Sequence, residues 1–339
     1  MGRAREARDS QVNETKTRWR WGTNRWIILI LIILSVVLTG LYPPMRPHVQ
    51  LPAEQLTGPL FTLPVVGEFS LSNTIVAMLI ADLVLIVLAL LVRGAVGKGA
   101  LSLSGIPAAV GAMVEALYSL TESTAGKWAK TIFPWMATIV LLVLVVNWTE
   151  LIPGVDSIGL LNEHHIENPA ACTFDTLFHL GRTEVVAVGG EHECSAGVVP
   201  FVRVASTDLN FTVALAIISV VATQVIGLRA LGGGYTVKFL NTRSLFTRPM
   251  FGVIDFVVSL LEAILEAVKI LSFSFRLFGN IFAGSVLLFV IGSLIPVFAQ
   301  SAVLLFEWFV GIIQAIVFGM LTLIFMSLAT AGHGEAEAH

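Results

Sequence analysis

The chain has 339 residues, 56% of them hydrophobic and only 13% charged, with a formal net charge of −3 at pH 7. Together with a mean hydropathy of +0.86 and several apolar runs of membrane-spanning length, these values exclude an ordinary soluble domain and indicate an all-α polytopic membrane protein. The net charge itself says little, because the distribution of Lys and Arg between loops sets orientation in such proteins.

In chain order, residues 1–25 form a basic segment with Arg3, Arg5, Arg8, Lys16, Arg18, Arg20 and Arg25, followed at once by an apolar stretch over 26–42. A secretory signal would look similar, but the basic region is long and no small-x-small cleavage site precedes Tyr42-Pro43-Pro44, so a retained first span is the preferred reading. The basic flank reads as a cytoplasmic orientation signal rather than a nucleic-acid site. A second span is predicted from Leu71 to Val92, with Asp82 inside it as either a carboxylate held by a neighbouring helix or a functional group. Between Arg93 and Lys130, Pro107 opens a predicted amphipathic helix through Glu115 to Lys127, lying at the cytoplasmic interface.

The third predicted span, Thr131 to Trp148, ends in NWTELIPG, where Asn147 and Glu150 reach the far interface and Pro153-Gly154 stops the helix. A polar insertion over 155–207 carries both cysteines, Cys172 and Cys194, and the histidines His164, His165, His179 and His192. Its ligand types suit zinc and raise a membrane-metalloprotease reading, but the spacing matches neither a zinc finger nor H-E-x-x-H. A disulfide between Cys172 and Cys194 in a structural lid is the expected arrangement, with no metal or cofactor. A fourth span, Leu209 to Leu228, precedes a basic loop with Arg229, Lys238, Arg243 and Arg248.

With the N-terminus inside, only Arg46, Arg182 and Arg203 of the 20 Lys and Arg fall on outer loops, and Lys269 and Arg276 lie within the membrane. The positive-inside rule is satisfied, the insertion is extracytoplasmic and the tail over 331–339 is cytoplasmic. No Walker A sequence occurs, so nucleotide chemistry is expected on other chains.

Two last hydrophobic stretches complete a set of about six. Phe251 to Ile291 would be ~60 Å long as a helix and Val297 to Leu328 ~48 Å, against a hydrocarbon core of ~30 Å. They must tilt strongly, bend or run along the interface, and Pro296 is the natural turning point of a hairpin. On the first of them, Glu262, Glu266, Lys269, Arg276 and Asn280 share a stripe roughly 80° wide with Phe273 and Gly284. Charges at such depth cost about 2.5–3.5 kcal/mol each on insertion scales and normally mark an ion path, so the stripe is a candidate hydrophilic track. Folding the pair about residue 296 sets Glu307 opposite Ser285, and Gln314 opposite Phe278 within one turn of Arg276.

At these residues the sequence resembles subunit a of the F-type ATP synthase. The diagnostic segment is SFRLFGNIFAG, supported by Asn147 to Pro153, by Asp208-Leu-Asn210 and by GIIQAIVFGMLT with Gln314; the likeness runs from about Asn73 to Leu328. It implies that Arg276 is the stator arginine facing the carboxylates of a rotating c-ring between two aqueous half-channels. It places Glu262 and Lys269 on the cytoplasmic half-channel, and Asn280 and Gln314 near the arginine and the outer half-channel. It implies c-ring subunits, a subunit b stalk and the remaining synthase subunits as partners, in a bacterial cell membrane. Two positions depart from the familiar bacterial pattern: Ser285 stands where an acid often follows the glycine, and Glu307 where a histidine often precedes the glutamine. If the two face each other, Glu307 supplies the relay acid that Ser285 lacks.

The chemistry of the residues agrees. A guanidinium keeps its proton at accessible pH, so Arg276 attracts a passing carboxylate without handing a proton across. At ~4 Å and an effective dielectric of ~20 the attraction is on the order of 4 kcal/mol, enough to favour an ionised ring carboxylate. The competing readings are an ion pair that only braces Arg276, an intrahelical Glu266–Lys269 pair, Gln314 as packing glue, and a self-contained secondary transporter, which internal repeats would mark.

Overall fold

In the computed structural model the described residues are 21–41, 53–59, 61–64, 67–97, 104–152, 155, 158–162, 172–180, 183–190, 197–232, 235, 249–294 and 298–331. Among them are seven α-helices: α1 (Trp21–Leu41), α2 (Asn73–Gly97), α3 (Ile106–Ala125), α4 (Ala129–Trp148), α5 (Leu209–Leu231), α6 (Pro249–Leu294) and α7 (Phe298–Thr330). Six are hydrophobic throughout, and α3 is the expected amphipathic one, with Pro107 in its first turn and Gly126 at φ +49 just beyond its end. Among the described residues, four helical stretches are long and apolar enough to cross a membrane: Asn73–Gly97, Ile106–Leu151, Leu209–Leu231 and Ala299–Thr330. This is the all-α polytopic architecture the composition demands.

The centre of the bundle is α4, whose Ile132, Met136, Val143 and Val146 are fully buried. It packs most closely on α7, and small residues make that possible. Gly311, Ala315 and Gly319 recur every fourth position, so they line one face of α7 and let the two backbones approach. A Cβ at Gly319 would stand 2.1 Å from Val140 Cγ2, and one at Gly311 would stand 3.3 Å from Asn147 Cβ. A Ser219–Thr322 hydroxyl pair at 2.8 Å joins α5 to α7, and Ser327 of α7 donates to the Thr124 carbonyl of α3 at 3.1 Å.

Beyond α4 a 3₁₀ turn, Thr149–Leu151, replaces an abrupt stop; Pro153 and Gly154, the predicted breakers, lie outside the described residues. Asp208 caps α5 by accepting from the Asn210 amide at 2.9 Å through Oδ1, while Oδ2 accepts from Thr74 on α2 at 3.0 Å. One side chain thus starts one helix and ties it to the first turn of another, which explains the Asp-Leu-Asn motif.

The insertion over 155–207 holds two antiparallel ladders, nested in sequence. Strand β3 (Gly159–Asn162) pairs with β6 (Gly197–Pro200), and between them β4 (Cys172–Leu180) pairs with β5 (Thr183–Gly190). A further hairpin of β1 (Phe61–Leu63) and β2 (Gly67–Phe69) stacks Phe61 on Phe69, with Gly67 at φ +88 after the turn. Cys194, the expected disulfide partner of Cys172, lies outside the described residues, as do His164, His165 and His192 of the zinc reading. Residues 1–20 and 332–339 lie outside them too, so the basic segment and the tail stay as expectations.

Replacing Gly319 by Val should destabilise the α4–α7 contact by about 1–3 kcal/mol, because the added atoms meet Val140 Cγ2 and a β-branched residue in a helix is held to one strongly preferred rotamer. Gly94→Ala on α2, where the added methyl meets nothing within 4 Å, should be neutral or slightly stabilising. Thermal unfolding of the two variants in the same detergent checks the difference.

Candidate functional site: the polar seam of the α6–α7 hairpin

Helices α6 and α7 pack antiparallel. Gln300 lies against Gly292, Glu307 against Gly284, Gln314 against Arg276 and Phe318 against Phe273, all centred within a residue of 296. The fold-back register expected from Pro296 is therefore met to within one residue for Glu307, while the turn itself, 295–297, lies outside the described residues. The close approach rests on Gly284. A Cβ there would sit 2.2–2.4 Å from the Glu307 carboxyl atoms, so any larger residue would expel that group.

Arg276 is exposed on the outward face of α6, and among the described residues no ion pair holds it. Its backbone carbonyl accepts from Gln314 Nε2 at 3.2 Å. Gln314 is buried, so its amide ties α7 to α6 at the arginine's own turn. Asn280 is exposed one turn further on, and Val258, Leu261, Leu265, Ser272, Ala283 and Leu287 extend the same face in both directions. Among the described residues no other helix covers this face. It is apolar apart from Ser272, Arg276 and Asn280, which suits a helical partner in lipid.

The predicted stripe therefore divides along the helix axis: Arg276 and Asn280 are exposed, whereas Glu262, Glu266 and Lys269, two to four turns before Arg276, are half-buried, and Gly284, one turn beyond Asn280, is buried. Lys269 Nζ donates to Glu266 Oε1 at 2.8 Å, the intrahelical pair that i,i+3 spacing allows, and lies 4.5 Å from the centre of the Phe325 ring on α7. Asp82 is half-buried on α2 and makes none of these contacts.

Glu307 is 4% exposed, and neither of its carboxyl oxygens has a hydrogen-bond partner. The expected Ser285–Glu307 pairing is not what forms. Ser285 instead donates to Glu150 Oε1 at 2.5 Å, an acid delivered by the 3₁₀ turn after α4. The physical reason is rotation: one helical residue turns Ser285 100° away from Gly284, toward α4 rather than α7. Glu150 is itself buried, and the turn before it places Asn147, which donates to the Gly311 carbonyl at 3.4 Å and accepts from Ser206 at 2.7 Å. Trp148 and Trp308 stack at 6.2 Å above this cluster. Polar side chains thus cluster along the α6–α7 hairpin in separate contacts: Ser206 with Asn147, Ser285 with Glu150, and Gln314 with the Arg276 carbonyl, with unpartnered Glu307 seated against Gly284 between the last two.

The sequence contained Glu150 but gave it only an interfacial place. The signal that would have found it is its i,i+3 relation to Asn147, which sets both side chains on one side of the α4 terminus. No local pattern marks Ser206, because it reaches Asn147 from a separate 3₁₀ turn, Ala205–Thr207.

The family described as ATP synthase A chain matches residues 75–327, which include every helix of the seam. The chain belongs to that family. It is similar to the proteins named ATP synthase subunit a from Acidothermus cellulolyticus, 25% identical over 282 residues that cover 79% of this chain and 80% of that protein, and from Mycobacterium ulcerans, 27% identical over 263 residues covering 76% and 86%. A Mycobacterium tuberculosis protein of the same name is 27% identical over 267 residues. Membership makes this chain a stator subunit of the ATP synthase membrane sector rather than a self-contained transporter, and a multi-pass membrane protein.

Because both Glu307 oxygens are buried without partners, Glu307→Gln should leave thermal stability unchanged or raise it by about 1 kcal/mol. Ser285→Ala, which strips a bond from buried Glu150, should lower it by about 1–2 kcal/mol. Parallel melting of the two variants reads the contrast.

Proposed function

We propose that this stator forms two proton half-channels against a c-ring and couples transmembrane proton flow to ring rotation and ATP synthesis. The observation that carries the reading is the exposure of Arg276 on a largely apolar helix face that no other described helix covers. A charge of this kind is costly against lipid and is balanced by a carboxylate brought to it from outside. Ring carboxylates are such groups. Each arrives protonated through lipid, loses its proton as the guanidinium favours the ionised form, and cannot pass that proton through Arg276, which keeps its own protons and has no site to accept another.

Proton supply on the outer side falls to the seam. Glu150, Ser285 and Glu307 relay from the outer surface toward Gln314 and Asn280, with Glu150 as the acid beside Ser285 and Glu307 the acid nearest the helix pair. On the inner side Glu262 lines the exit, with Lys269 and Glu266 beside it. The chain carries no catalytic centre of its own; ATP chemistry belongs to other subunits, with a subunit b stalk holding this one static. The assembly sits in a bacterial cell membrane with both termini cytoplasmic, the span over 26–42 retained and the 155–207 insertion outside.

The ring-facing assignment is tested by cysteine cross-linking. Ser272→Cys and Ala283→Cys, both exposed beside Arg276, should form disulfides with cysteines placed next to the carboxylate of a co-purifying ring hairpin. Ile281→Cys, 1% exposed, should form none. Cross-links from Ile281 and not from the other two would reverse the face and defeat the reading.

A further inference from the structure

Beyond the end of α5, Tyr235 returns to the bundle and is 5% exposed. Its ring lies over Gly227, where a Cβ would meet Tyr235 Cζ at 2.5 Å, so this glycine is what admits it. The hydroxyl donates to Gln224 Oε1 on α5 at 2.8 Å. Burial, then the nearby charges of Glu266 and Glu262 on α6, push the phenol up to about 12. It is therefore a donor at every physiological pH, and that decides how the Gln224 amide is turned: Oε1 toward the phenol and Nε2 away from it.

Two buried polar atoms next to this contact have no partner, Gln224 Nε2 on α5 and Glu266 Oε2 on α6. One is a donor and the other an acceptor, on helices that pack against each other. The remaining oxygen of Glu266 is occupied by Lys269. Both groups act on Tyr235, Gln224 through its hydrogen bond and Glu266 through its charge, and an unpartnered buried donor and acceptor beside one side chain are characteristic of a water-holding site with two or more polar walls.

We propose that Gln224, Tyr235 and Glu266 enclose a buried water site between α5 and α6, through which protons pass on the inner half-channel. The inference rests on the rotary reading for its direction of flow. Tyr235 is a positioning residue: it orients the Gln224 amide so that the NH2 group and the Glu266 carboxylate grip the same water. A proton arriving at that water is taken by Glu266 Oε2, the acceptor of the pair, and leaves the carboxyl for the next water, while Gln224 and the phenol keep their own.

X-ray radiolytic footprinting of the intact complex tests the site, since water held against a side chain is converted to hydroxyl radicals that mark it. Tyr235 should be labelled at a rate close to that of half-exposed Tyr118 despite its burial, and several-fold more slowly in Gln224→Leu. Tyr235→Phe, which keeps the ring over Gly227, should assemble normally and lower nucleotide-driven acidification of vesicles several-fold. Labelling of Tyr235 as slow as that of buried Phe273 in the native complex, or undiminished pumping by assembled Tyr235→Phe, would overturn the proposal. Native vesicles that acidify normally while either of these results is seen place the failure in the water site; native vesicles that do not acidify at all, with Tyr235 strongly labelled, place it in the rotary reading and in the proton path drawn from it.

Discussion

The close approach of α7 to α6 at Gly284 is the contact on which the rest of the arrangement depends. Only a residue without a side chain leaves room for the Glu307 carboxyl, and only with Glu307 seated there does Gln314, two turns on, reach the carbonyl of Arg276. The hairpin register, the depth of the buried acid and the orientation of the arginine's helix are thus one geometric fact. Gly311, Ala315 and Gly319 extend the same logic to α4, so that α7 is clamped on two sides by backbone-to-backbone proximity. In lipid there is no hydrophobic drive between helices, and close packing with a few buried hydrogen bonds has to suffice.

That clamp determines what is left open. Because α6 gives its inner side to α5 and α7, the Arg276 face has no covering helix among the described residues, and the acids divide into two groups on either side of the arginine. Glu150 and Glu307 belong to the seam built with α4 and α7; Glu262 and Glu266 belong to the side packed against α5 and Tyr235. The separation is what a ratchet requires. A proton path broken by a group that holds its charge forces traffic onto a moving partner.

Much of this was legible in the chain. An antiparallel helix pair keeps its partners symmetric about the turn, so locating Pro296 located Glu307 and Gln314 to within a residue or two, and the i,i+3 spacing of Glu266 and Lys269 announced their pair. The partner of Ser285 was not legible: Glu150 reaches it from α4, 135 positions away, and helical periodicity carries no information about which neighbour a rotated side chain meets. The change from half-buried acids to an exposed arginine along one stripe was hidden for the same reason. The ladders of the insertion were not legible because their alternation is broken, by the irregularity between Thr176 and Phe178 in β4 and by the adjacent Val185 and Val186 in β5.

The central claim is that Arg276 is both the electrostatic partner of the ring and the insulation between the half-channels. The most direct measurement compares native and Arg276→Ala complexes in sealed vesicles, recording nucleotide-driven acidification and passive proton leak together. The account predicts that pumping is abolished with the complex still assembled, and that leak rises as the two polar paths connect. Undiminished pumping by Arg276→Ala would contradict it and return the exposed arginine to a packing role.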